Sequence, residues 1–138
     1  MKKWWVLLSL ILLMGLSGIG YAANTAVMVG NRIIIAGDAV ADDGDFDVWT
    51  NLVNAAGTTK GWSPGSHKVT ILGYCWFGDA IAVADVLSLE TADAQLIGPD
   101  LIATVADETL CIPDIHAVVD RLYVDQLSHG TIIIYLEP

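Results

Sequence analysis

The sequence predicts an all-β fold, an antiparallel β-sandwich of jelly-roll or immunoglobulin-like type with roughly seven to nine short strands. Three observations lead there. No stretch longer than about ten residues keeps apolar spacing of three and four without glycine or proline, so no amphipathic helix is indicated. Short β-branched runs bounded by Gly, Pro, Asn and Asp recur throughout the chain. There is no low-complexity tract, no linker that would split domains and no fixed-period repeat, which points to one hydrophobic core.

The amino terminus is set apart from that pattern. Lys2 and Lys3 precede an apolar block over positions 4–16, and "SGIGYAAN" follows with small residues. This is the layout of a secretory signal peptide. Cleavage after Ala22 puts Gly20 and Ala22 where the peptidase needs small side chains, whereas cleavage after Ala23 puts bulky Tyr21 at one of those positions. The expected organisation is a signal peptide over 1–22 and a single sandwich domain over 23–138, exported to a periplasmic or extracellular location. The apolar block is short for a membrane span of about 20 residues, and no cysteine lies at the cut to carry a lipid.

Sixteen acidic residues face six basic ones, a formal charge of −10, and the signal would remove two of the six. Such a surface repels phosphate backbones and anionic headgroups, so neither nucleic acid nor a stable membrane association is expected of the mature chain.

Along the chain, "TAVMVGNRIIIAG" reads as two strands around a Gly30-Asn31 hairpin loop. An acidic loop over 38–47 follows, then a candidate strand "DVWTNLV" over 47–53 and a Gly/Ser/Thr/Pro-rich loop over 54–66. "HKVTILGYCWF" over 67–77 is the clearest long strand. Strict alternation would put Val69, Ile71, Gly73, Cys75 and Phe77 on one face and Thr70, Leu72, Tyr74 and Trp76 on the other. Both faces are apolar, which predicts a central strand.

The stretch 78–85 is compatible with a helical turn or two, and "LSLET" and "AQLIG" flank a turn at Ala92-Asp93. "RLYVDQL" and "TIIIYLE" around "SHG" give the strongest hairpin signal, with Gly130 supplying positive φ. "TIIIYLE" is too apolar to be left as a bare edge, so it is expected to be paired centrally or covered by a partner.

"VTILGYCWFGD" (69–79), "VLSLETADAQLIG" (86–98) and "DRLYVDQLSHGTIIIYLE" (120–137) share a pattern: a strand ending in an aromatic and Gly, a hairpin, and a terminal "LYVxxLxxGxxxIYL". On these residues the carboxy-terminal half resembles small β-sandwich proteins of unassigned function encoded by tailed phages and prophages. The resemblance implies a β-sandwich and a structural role in an assembly. The chain differs from it in Ala94 at a turn position where glycine is common, in Arg121 before "LYV", and in its signal peptide.

Candidate chemistry is sparse. Asp38, Asp42, Asp43, Asp45 and Asp47 could offer oxygens to calcium, but Val48 stands where an EF-hand needs glycine and Asn54 where it needs a bidentate glutamate. A looser calcium site using Asp38, Asp43, Asp45 and Asp47 is one reading; a solvated acidic turn is the other. His67, His116 and His129 lack zinc-motif spacing; a zinc site assembled in space from them with Asp114 or Asp125 is the minor reading, against scattered surface histidines. No "GxSxG" elbow is present, and of the acids only Glu90 and Asp85 lie in apolar context.

Trp49 and Trp76 read as core. Trp62, in "KGWSPGS", is a candidate ligand contact, or else an aromatic folded back over the sheet end. Cys75 and Cys111, both in the exported part, are expected to form a disulfide closing a loop of 36 residues, against two buried thiols. Together these features favour a non-enzymatic structural or binding module without cofactor, contacting a protein partner or itself through edge strands. A secreted calcium- or carbohydrate-binding domain is the alternative, and an exported hydrolase comes third.

Overall fold

The computed structural model describes residues 26–36, 46–63, 65–78, 80–127 and 129–138. They form eleven strands: β1 (Ala26–Val29), β2 (Arg32–Ala36), β3 (Phe46–Asp47), β4 (Leu52–Asn54), β5 (Val69–Phe77), β6 (Val86–Glu90), β7 (Leu101–Ile102), β8 (Leu110–Ile112), β9 (Ala117–Val119), β10 (Tyr123–Leu127) and β11 (Thr131–Leu136). The count exceeds the expected seven to nine because β3, β4, β7, β8 and β9 are two- or three-residue pieces that carry no alternation of their own.

Two sheets pack together as a sandwich. One runs β4-β1-β2-β11-β5-β8, with β9 also on β5, and the other runs β3-β10-β6-β7. All pairings are antiparallel except β1 with β4. The pairing is nested: β2 pairs β11, β3 pairs β10, β5 pairs β8 and β6 pairs β7, each pair enclosed by the one before it in sequence. A long antiparallel ribbon has been folded over on itself, which brings β11 beside β5 and β10 beside β6. That is the jelly-roll arrangement, and it decides between the two sandwich types expected.

The first hairpin forms as the sequence predicts, with Val29 opposite Arg32 and Gly30 at φ +58. Only the first loop residue needs positive φ, the requirement of a type II′ turn. At the carboxy terminus the expected hairpin is absent. β10 belongs to the small sheet and β11 to the large one, so "SHG" is a crossover between layers. Gly130 is needed there for space as well as φ, since a Cβ would sit 2.7 Å from Trp76 Nε1 and 2.8 Å from the Phe77 carbonyl oxygen. The apolar alternation of both flanking strands serves two different sheets, a distinction that sequence pattern does not carry.

"DVWTNLV" is likewise not one strand. A turn over 48–51 divides it into β3 and β4, and Val48, Trp49 and Leu52 are all buried, a spacing one turn of coil allows and a strand does not. Gly78 and residues 80–85 are turn and coil rather than helix. In β5 the strict alternation fails: Ile71, Tyr74 and Trp76 all face the core, because a register shift opposite Tyr135/Leu136 inverts the pleat between Ile71 and Gly73. β5 is an interior strand as predicted, and β11 lies centrally between β2 and β5.

The core lies between the sheets. Ile33 and Ile35 of β2, Tyr74 and Trp76 of β5, Ile132 and Ile134 of β11 meet Leu87 and Leu89 of β6 and Val124 of β10, with Trp49 and Leu122 closing the ends. Its polar atoms are paired. The Trp76 indole donates to the His129 carbonyl at 2.7 Å, the Trp49 indole to the His67 carbonyl at 3.1 Å, and the Tyr74 hydroxyl to the Pro99 carbonyl at 3.1 Å. Burial, with the nearby Asp100 charge, pushes the Tyr74 hydroxyl up to about 12, so it stays a donor.

Candidate functional site

Of the acidic segment, Asp38, Asp43 and Asp45 lie outside the described residues, and Asp47 is at the end of β3. Its carboxylate is already occupied. Oδ1 accepts from the Trp49 amide at 3.1 Å and the Thr50 amide at 3.4 Å, while Oδ2 accepts from the Thr50 hydroxyl at 2.6 Å and from Arg121 Nε at 3.1 Å. Arg121 Nη2 also donates to Oδ2. The group therefore starts the 48–51 turn and ties β3 to the segment preceding β10. Burial alone would raise its pKa, but the bonds from Arg121 and Thr50 outweigh burial and hold it below the ordinary value.

Trp62 is folded back. Its ring meets the buried Trp49 ring edge-on at 5.2 Å and stacks nearly parallel on the His67 ring at 5.3 Å, half-buried against the core. One indole face is thus taken by His67, which is held by Ser66 Oγ at 3.1 Å. The other histidines do not converge with it. His129 Nδ1 lies 2.9 Å from Asp85 Oδ2, and the Asp85 carboxylate also accepts from the Ala82 amide; that backbone bond, followed by His129, lowers its pKa. No group of three or more His, Cys, Asp or Glu able to hold a metal occurs among the described residues.

Cys75 and Cys111 are disulfide-bonded and stand directly opposite one another on β5 and β8. The bond is compatible with an oxidising compartment. It lies on the outer face of the large sheet, where Cys111 is exposed, and it continues a row that crosses six strands in register: Val53, Val27, Ile34, Ile133, Cys75, Cys111. Ile34 and Ile133 alternate with fully buried neighbours and so must point outward. Val27, in the same row, is buried although it stands apart from the core cluster, so the row is covered within the chain at β1.

The row on one side of this holds Val29, Arg32, Tyr135 and Gly73, and on the other Thr131 and Phe77 pair. Arg32 lies over the Tyr135 ring at 5.6 Å and is the one charge in these three rows. Beside Tyr135, towards β8, a depression of about 240 Å³ is lined by Gly73, Cys111, Pro113, Asp114 and Tyr135, and the Ile112 carbonyl and Pro113 lie against the outward side of Gly73. Reading the sequence for chemistry missed this face. The signal available was the triple isoleucine in both β2 and β11, which makes each strand apolar on two faces.

Comparison with known proteins returned no matching family model, no matching curated protein and no matching solved structure.

Proposed function

We propose that the chain is an exported, non-enzymatic structural or binding module that works by protein contact, as a component of a surface or phage-related assembly. The supporting observation is the outer face of the large sheet, whose register brings an apolar row across six strands while the rest of the chain is strongly acidic. An apolar sheet face whose rows carry no carboxylate is the part of so acidic a chain best suited to meet another protein. The ionic side chains fit the same reading: Asp47–Arg121 and Asp85–His129 are spent on holding turns and loops. The assigned partner is a protein, with no role for nucleic acid or a stable membrane association.

Fractionation of producing cells, followed by mass measurement and in situ cross-linking, tests this. The expected result is a chain in the exported fraction, starting at Ala23, with Cys75 and Cys111 oxidised, and cross-linked to protein. A chain retained inside with its amino terminus intact, or one that forms no protein cross-link, would overturn the reading.

A further inference from the structure

We infer that the free edge of the small sheet, along residues 96–105, takes up an extended, basic segment of another protein as an added strand. The inference rests on the contact-module reading above, to which it adds a second surface and the chemistry of a partner.

The backbone leaves this edge open. β7 is the outermost strand of its sheet and has β6 on one side only. The Ala103 amide donates to the Asp85 carbonyl at 2.9 Å and its carbonyl accepts from the Ala84 amide at 2.8 Å, so both groups point to the β6 side. Backbone groups alternate in direction along a strand, and those of Ile102 and Thr104 therefore point away from β6. The Glu108 carboxylate takes the Thr104 amide at 2.6 Å, whereas no bond reaches the outward groups of Ile102 among the described residues.

The segment before β7 repeats the pattern. The Thr91 amide donates to the Gln95 carbonyl at 2.9 Å and the Ile97 amide to the Leu89 carbonyl at 2.8 Å, which turns the amide and carbonyl of Leu96 outward. Both positions carry exposed apolar side chains. Of the six large apolar residues exposed among the described residues, four belong to this edge: Leu96, Ile102, Val105 and Val83, the last beside the Ala84–Ala103 bond. Open backbone groups next to apolar side chains are what an added strand uses, the first for its main chain and the second for its alternate side chains.

Charge selects the occupant. No Lys or Arg occurs from 69 to 120, a stretch that holds nine carboxylates. Asp100 stands just before β7, and Asp107 and Glu108 follow it. A second copy offering the same edge would set these carboxylates against their own kind, and an anionic polymer would be repelled. A segment with apolar residues for Leu96 and Ile102 and with Lys or Arg for the flanking acids meets both requirements. Leu96 and Ile102 are at most about 20 Å apart along the chain, so the added strand spans about seven residues.

The probe is a blocked peptide of about nine residues alternating lysine and valine, titrated into the isotope-labelled exported chain and followed by amide resonances and amide exchange. Two further peptides are controls, one alternating lysine with glycine and one alternating glutamate with valine. Saturable binding of the lysine-valine peptide is expected, with shifts concentrated over 96–105 and exchange at the Ile102 amide slowed about tenfold or more. The lysine-glycine peptide should bind at least about fivefold more weakly, and the glutamate-valine peptide not at all.

Ile102→Pro removes the outward amide without touching the Ala103 bonds, and proline is tolerated on an edge strand where its missing N–H would face away from the ladder. It should weaken binding about tenfold or more. Asp100→Lys combined with Asp107→Asn changes exposed side chains only, and asparagine accepts the positive φ of position 107. This variant gives the second reading, with binding weakened to a similar degree and most of its salt dependence lost.

Equal binding of the lysine-valine and lysine-glycine peptides, shifts centred elsewhere, or indifference to both variants would each overturn the inference. So would self-association of the chain that Ile102→Pro abolishes, which would put a second copy on this edge. If no peptide binds and the chain still cross-links to protein in producing cells, this inference fails and the contact-module reading stands. No binding and no cross-link removes both.

Discussion

Two arginines lie over tyrosine rings on opposite outer faces of the sandwich, and they end differently. On the small sheet Arg121 stands 5.0 Å from the Tyr123 ring and reaches Asp47, a carboxylate of its own chain. The row there reads Asp47, Tyr123, Glu90, polar across three strands, with Val86 and Ile102 as an apolar pair only at the far edge. On the large sheet Arg32 stands 5.6 Å from the Tyr135 ring, in rows of valine, isoleucine, threonine, phenylalanine and a disulfide. The same pairing of cation and ring is thus a completed intramolecular latch on one face, whereas on the other the arginine has no carboxylate partner among the described residues. The difference comes from the neighbouring register position, which holds Asp47 in the first case and Gly73 in the second.

The largest effect expected from breaking this comparison lies on the large face. Replacing Cys75 and Cys111 together by Ala removes a cross-link over 36 residues, for a loss of about 4 kcal/mol on the chain-entropy account, measured by denaturant unfolding. The edge strand β8 and the depression beside it should loosen first, visible as amide exchange at 110–112 faster than in β11.

Next come the arginines. Arg121→Ala strands the partly buried Asp47 carboxylate and should cost about 1–2 kcal/mol, whereas Arg32→Ala, exposed and bonded to nothing but a ring face, should cost the isolated chain no more than about 0.5 kcal/mol. Equal losses in the two variants, measured by chemical denaturation at a concentration where the chain is monomeric, would erase the asymmetry.

The acid limb of stability sharpens the same point. The Asp47 carboxyl is held below its ordinary value of 3.8, so folding draws stability from it above that pH and loses it as pH falls through the lowered folded value. Unfolding measured from about pH 6 to pH 2 should therefore show a steeper fall in the parent than in Asp47→Asn, which is less stable near neutrality and flatter in acid. Arg32 offers no such carboxylate, so Arg32→Ala should leave the profile unchanged in shape.

The smallest effect concerns the turn after β6. Ala94 is held at φ +54, a conformation that costs a residue with a Cβ about 1 kcal/mol. Ala94→Gly should raise stability by about 0.5 kcal/mol, read as a rise of a few degrees in melting temperature, after glycine's greater entropy in the unfolded chain is offset.

Legibility in the sequence followed the range of the interaction. The first hairpin was readable because Gly30 and its flanking strands are contiguous, and for β11 an isoleucine run ruled out a bare edge, leaving central pairing, which the fold adopts, or cover by a partner. The disulfide followed from there being two cysteines and one way to pair them. Asp47 was visible as an acid in an acidic segment, but its donor from 74 residues away was not. Trp62 was visible as a loop aromatic, and only the fold could turn its ring onto His67 and Trp49.

The sequence by itself determined that this chain makes strands, where the longer ones run, and that it carries more apolar surface than one core face requires. Those are properties of neighbours along the chain, set by side-chain branching, pleat period and turn residues. Which layer a strand joins was decided by the tertiary structure. β10 and β11 look alike, both alternate, and a three-residue link suits either a hairpin or a crossover. Nested pairing of β2 with β11 and β3 with β10 sends them to different sheets. The same pairing aligns six outward residues from six separate segments into one apolar row. No local signal encodes that alignment, because register between distant strands is fixed only when their buried faces find a common core.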